Sequence, residues 1–108
     1  MNEKIFRTAK VKYHDKLAGC LSETENGYRF AYDKHYLQNG QPISVSLPLR
    51  PESYESETLF SFFEGLLPEG WYLDIVSATE KIDAKDSFGL LLATTGDAIG
   101  AVTVLKSK

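Results

Sequence analysis

The chain's 108 residues predict a small α+β domain: an antiparallel sheet of about five strands with three short helices packed on one face. Three observations lead there. Apolar residues recur at every second position through the first half of the chain, the period of strands with one buried face. In the second half they recur at every third or fourth position, the period of helices with one buried stripe. A final alternating pair, Val102 and Val104, offers a closing strand. Strands and helices segregated in this way favour helices gathered on one side of an antiparallel sheet.

The elements follow in order. Val11 and Tyr13 alternate with Lys10 and Lys12, and His14-Asp15-Lys16 reads as a tight turn. Leu17, Gly19 and Leu21 alternate next, and Glu25-Asn26-Gly27 carries the Asn-Gly pair that favours positive φ in a hairpin. Tyr28, Phe30 and Tyr32 alternate with Arg29 and Ala31. After a break at Asn39-Gly40 and Pro42, Ile43, Val45 and Leu47 alternate with Ser44 and Ser46 and predict a fourth strand. Pro48-Leu49-Arg50-Pro51 cannot extend a ladder, because proline has no amide donor.

From Ser56, an expected N-cap, Leu59, Phe62, Phe63 and Leu66 fall on one helical face. Pro68-Glu69-Gly70 interrupts, and Tyr72, Ile75, Val76 and Thr79 predict a second helix. A third, capped by Asp83 or Asp86, carries Phe88, Leu91 and Leu92 and stops at Gly96. With no repeats, low-complexity tracts or linkers, residues 1–108 read as one domain.

Composition narrows the function. The net charge is -3 and the basic residues are scattered, with nothing denser than Lys10/Lys12 and Lys106/Lys108, so direct nucleic-acid binding is not expected. A lone cysteine, Cys20, cannot make an internal disulfide. No leader-like apolar run begins the chain, and no stretch approaches the roughly 18 apolar residues of a membrane helix, so the expected compartment is the cytoplasm.

Chemistry is hard to find. His14 and His35 lack metal-ligand companions at zinc spacing and read as surface histidines. Cys20 has no marked base and reads as a small strand residue. Nucleophile-elbow and phosphate-loop signatures are missing, so neither an enzyme nor a cofactor is expected. Asp86-Ser87-Phe88-Gly89 echoes a kinase Asp-Phe-Gly, but Asp86 as an N-cap explains it. Glu52, Glu55 and Glu57 sit in a proline-flanked loop and read as a solvated face.

The segment that stands out is Leu66-Leu67-Pro68-Glu69-Gly70-Trp71-Tyr72, with Asp74 just beyond it. Pro and Gly set a sharp connection between helices, and the only Trp follows at once. Trp71 serves either as an inward-packing residue beside Ile75 at i+4, or as a rigid aromatic anchor for a partner.

Four motifs then carry a resemblance. Pro42–Leu49 (PISVSLPL), Phe62–Gly70 (FFEGLLPEG), Asp86–Leu91 (DSFGLL) and Gly96–Val102 (GDAIGAV) are similar, in order, to segments of the HipA family's N-terminal domain. They span nearly the whole chain. In HipA proteins this domain is fused to a kinase core, whereas this sequence ends at Lys108 with no kinase residues. That pattern resembles the stand-alone S subunits (HipS) of tripartite HipBST toxin–antitoxin systems. The resemblance implies an antitoxin that binds a HipT/HipA-like kinase toxin, with a HipB-like helix-turn-helix protein in a larger complex. The partner interface expected is Leu67, Pro68, Glu69, Gly70, Trp71, Tyr72 and Asp74. Fused domains commonly carry smaller or polar residues after Pro-Glu-Gly, which favours the anchor role for Trp71. The alternative is an assembly subunit that bridges the kinase and the DNA-binding protein without inhibiting catalysis.

Overall fold

The computed structural model describes residues 4–67, 70–95 and 101–106. Among them run β1 (Ile5–Tyr13), β2 (Lys16–Thr24), β3 (Gly27–Tyr32), α1 (Lys34–Asn39), β4 (Tyr54–Ser56), α2 (Ser61–Glu64), α3 (Gly70–Glu80), α4 (Ser87–Thr95) and β5 (Val102–Lys106). The strands form one antiparallel sheet in the order β4-β3-β2-β1-β5. The α+β class is as the sequence predicts.

Local chemistry sets the first hairpins. Tyr13 pairs with Lys16, leaving His14 and Asp15 as a two-residue loop in which both have positive φ, 50° and 68°. This is the left-handed region that Asp and His tolerate better than most non-glycine residues. At the second hairpin Thr24 pairs with Gly27, whose φ is 136°. A Cβ there would also sit 2.2 Å from the Ser56 carbonyl oxygen, so glycine is required twice over.

The inward residues of the strands, Ala9, Val11, Leu21, Phe30, Tyr32 and Val104, are buried, and the helices add Tyr36, Phe63, Phe88 and Leu91 to the same core. Phe63 lies against three other rings, with centroids 5.7 Å from Phe30, 6.3 Å from Phe60 and 5.2 Å from Phe62.

Four corrections concern the middle of the chain. Residues 43–47 form a turn, not a strand. Ile43 and Leu47 are buried while Val45 is 100% exposed, so the alternation reflects two anchors and an outward tip. The anchors close on one hydroxyl: Tyr32 Oη accepts from the Ile43 amide at 3.1 Å and donates to the Leu47 carbonyl. Burial pushes the Tyr32 phenol's pKa up.

The strand that completes the sheet is Tyr54–Ser56 instead, pairing Tyr54 with Phe30. A fourth helix, α1, also appears, where three were expected. Asp33 caps it, its carboxylate accepting from the amides of His35 at 3.0 Å and Tyr36 at 3.4 Å. Finally, the helix expected from Ser56 is a single turn beginning at Ser61, with Phe60 at its N-cap position and no side-chain cap.

α4 does begin behind Asp86, whose Oδ1 accepts from the Gly89 amide at 3.1 Å. The expected stop at Gly96 lies outside the described residues. Asp86 is also held by Arg7, whose Nη1 and Nη2 donate to it at 3.1 and 2.8 Å while Nε and Nη2 donate to Glu23 at 2.7 and 3.0 Å. The Arg7 guanidinium lies 5.0 Å from the centre of the Phe88 ring. One arginine thus ties β1, β2 and α4 together.

Its hydrogen bonds hold the Asp86 carboxyl below its ordinary value of 3.8 and raise the Arg7 pKa. A carboxylate whose folded pKa is depressed stabilises the fold above its unfolded pKa, and that contribution fades as pH falls through the folded one. Asp86→Asn is therefore expected to melt lower than the parent at pH 7. The gap should narrow as pH is taken below about 3.8, followed by circular dichroism.

Candidate protein-interaction site

The expected interface lies where α2 hands over to α3. Phe63 anchors α2 in the core, and the chain keeps turning after it. The Leu66 amide donates to the Phe63 carbonyl at 3.0 Å, and the Leu67 amide to Glu64 at 3.1 Å. Leu66 and Leu67 are half-buried and pack against the core, so the approach to the connection is firmly held. Pro68 and Glu69 lie outside the described residues. Gly70, Trp71 and Tyr72 form the first turn of α3, and their side chains are outside the description.

α3 rests lightly on the body. Of its described side chains, only Val76 is buried, while Asp74 is exposed and Ile75 is 49% exposed. The apolar residues therefore do not form one inward stripe: Val76 faces in and its neighbour Ile75 faces out. Ile75, the i+4 neighbour named in the inward reading of Trp71, is thus exposed, while the Trp71 side chain itself lies outside the described residues. The helix ends at Lys81, in the left-handed region at φ 57°. There the Ile82 amide reaches back to the Ser77 carbonyl at 3.0 Å and the Ser77 hydroxyl donates to the Ile82 carbonyl. This closes the helix as a glycine would, by giving the Ser77 carbonyl a partner.

The structure therefore places Leu67 at the anchored end of the segment and Asp74 on its open side. The sequence reading missed Arg7 and Tyr32, which hold α4 and the 43–47 turn. Asp33 followed by Tyr36 and Leu37 was the available signal for α1. For Arg7 no sequence signal existed, because its partner Asp86 is 79 residues away.

The other chemistry-bearing residues stay apart. Cys20 is exposed on β2, its sulfur 3.8 Å from the Ser22 hydroxyl. Among the described residues no group of three or more His, Cys, Asp and Glu side chains is placed to hold a metal. Glu55 pairs with Arg29 at 3.5 Å beside an open cleft of about 710 Å³ that Glu25 and Glu57 also line. Among the described residues no helix is long and apolar enough to cross a membrane.

A small α+β body, five antiparallel strands carrying a lightly seated helix, is the class that the fold defines. Residues 9–105 match the family described as the HipA N-terminal domain. The chain belongs to that family, which is associated with toxin–antitoxin kinase systems. A solved structure, the N-terminal domain of HipA toxin, superposes with a TM-score of 0.75 at 32% identity, covering 100% of this chain and 98% of that one. An uncharacterized protein of Haemophilus influenzae is 34% identical over 104 residues, 96% of each chain. The putative kinase Y4mE of Sinorhizobium fredii is 30% identical over 102 residues, 92% of this chain but 24% of the kinase. The matched domain is the N-terminal one and not the catalytic kinase domain.

Proposed function

We propose that this chain, a single module over residues 1–108, is a non-enzymatic antitoxin subunit. It binds and neutralises a HipT/HipA-like serine/threonine kinase toxin in the cytoplasm, in a complex that also holds a HipB-like DNA-binding protein. The observation that carries this reading is α3: in a family tied to toxin–antitoxin kinases, a helix with little buried surface follows a connection whose near end is anchored in the core. A partner helix groove or cleft suits such an element, since a pre-held segment loses little conformational freedom on binding.

Within it, Trp71 is the central anchor, with Leu67, Pro68, Glu69, Gly70 and Tyr72 around it and Asp74 as a charged neighbour. Trp71 stands one helical turn before Ile75, and that i, i+4 spacing puts the two positions on one side of α3, the side on which Ile75 is exposed. Membership of the kinase-associated family supports the partner class, and the kinase-sized remainder of Y4mE supports a partner much larger than this module.

The test is kinase activity of the purified cognate HipA-like protein with and without an excess of this chain. Dose-dependent loss of phosphorylation is the expected result. Unchanged phosphorylation despite complex formation would leave only the assembly role, in which the module bridges kinase and DNA-binding protein.

A further inference from the structure

The helices and loops fill one face of the sheet, and the opposite face carries a pattern that the proposed interface does not use. Along β1 the residues alternating with buried Ala9 and Val11 are Lys10, exposed, and Lys12, half-buried. In register, Lys10 lies between Cys20 of β2 and Leu105 of β5, and Lys12 lies between Leu17 and Thr103. Residues opposite one another in an antiparallel pair share a face. Both lysines, both leucines and Cys20 therefore lie on the side away from the core, where Leu17 and Cys20 are exposed and Leu105 is half-buried.

Charge separates this strip from the rest of the molecule. The protein carries a net charge of -3. Among the described strand residues the only acid on this side is Glu55, and Arg29 is its partner at 3.5 Å. Lys10 and Lys12 have no acidic partner among the described residues. A positive, partly apolar strip on a negative protein is complementary to an acidic protein surface that brings some apolar contact of its own.

Family membership indicates whose surface that is. β5 is the edge strand bordering the strip, and the family match ends within it, at residue 105. In the putative kinase Y4mE the matched region fills about a quarter of the polypeptide. About three quarters of that kinase therefore lies outside the matched region and can supply the surface.

We propose that the β5–β1–β2 face is a second docking surface, seating an acidic patch of the kinase partner separately from the α2–α3 segment. This rests on the reading that the chain binds a kinase, and it adds where the second contact lies. The single cysteine makes the face testable in the natural chain, because Cys20 sits beside Lys10 in the register.

Alkylation of Cys20 by a maleimide is expected to slow at least about tenfold when the cognate kinase is bound. The double variant Lys10→Glu/Lys12→Glu is expected to keep its melting temperature and to bind the kinase at least about tenfold more weakly at low salt, the gap closing as salt is raised. Cys20 reacting equally fast in the complex, or the double variant binding like the parent while Trp71→Ala still disrupts binding, would overturn the second surface and leave the proposed function standing. A parent chain that forms no complex with the kinase overturns both. Protection of Cys20 by duplex DNA and not by the kinase would reassign the face to nucleic acid and overturn the proposal.

Discussion

Trp71→Ala is expected to lose its hold on the kinase toxin, so that cells co-expressing the toxin with the variant stop growing while those with the parent chain survive. A Trp at the centre of an interface, truncated to Ala, typically removes about 2 kcal/mol or more of binding free energy, roughly thirtyfold in affinity. The substitution falls in the first turn of α3, where alanine is the best helix former, so the helix itself is not weakened. Titration calorimetry with the purified kinase separates lost affinity from lost expression. Full neutralisation by the variant would remove Trp71 from the mechanism.

The largest effect on stability is expected at Phe63. Its ring is fully buried and contacts the rings of Phe30, Phe60 and Phe62. Phe63→Ala leaves a cavity among them, and such truncations cost about 3–5 kcal/mol. Total stability of a domain this size is on the order of 5–15 kcal/mol, so the variant should lose from about a fifth to nearly all of the parent's margin. Urea unfolding followed by circular dichroism measures it, with a fall in midpoint and an unchanged slope as the expected signature. Because Leu66 and Leu67 follow directly from the turn that Phe63 anchors, kinase binding should weaken as well. A loss below 1 kcal/mol would mean that α2 does not hold the connection.

The two residues illustrate different links in one chain of cause. Phe63 positions the connection by packing, and Trp71 is proposed to use it. Arg7 plays for α4 the role that Phe63 plays for α2: its bonds to Glu23 and Asp86 place the helix carrying Phe88 and Leu91 across the sheet. The acid sensitivity expected at Asp86 is the solution signature of that second attachment.

Local pattern determined a good deal without any tertiary information. The α+β class, the strands around Val11, Leu21 and Phe30, the tight turn within His14-Asp15-Lys16 and a helix cap at Asp83 or Asp86 all depend on neighbours within a few positions, where side-chain period and turn chemistry act directly. Four ordered motifs marked the HipA N-terminal domain family in the same way. Tertiary structure alone decided the rest. The run from Ile43 to Leu47 alternates like a strand, yet its two buried ends answer to the hydroxyl of Tyr32, and its backbone is satisfied by that contact and a turn in place of a ladder. Tyr54–Ser56 is too short to declare itself and joins the sheet because Phe30 offers an open edge. Ile75 and Val76 are adjacent and equally apolar, and which of them faces water depends on how α3 sits against α4. A period shows that a face will be buried; it takes the contacts between distant segments to choose which face, and what is left outside for a partner.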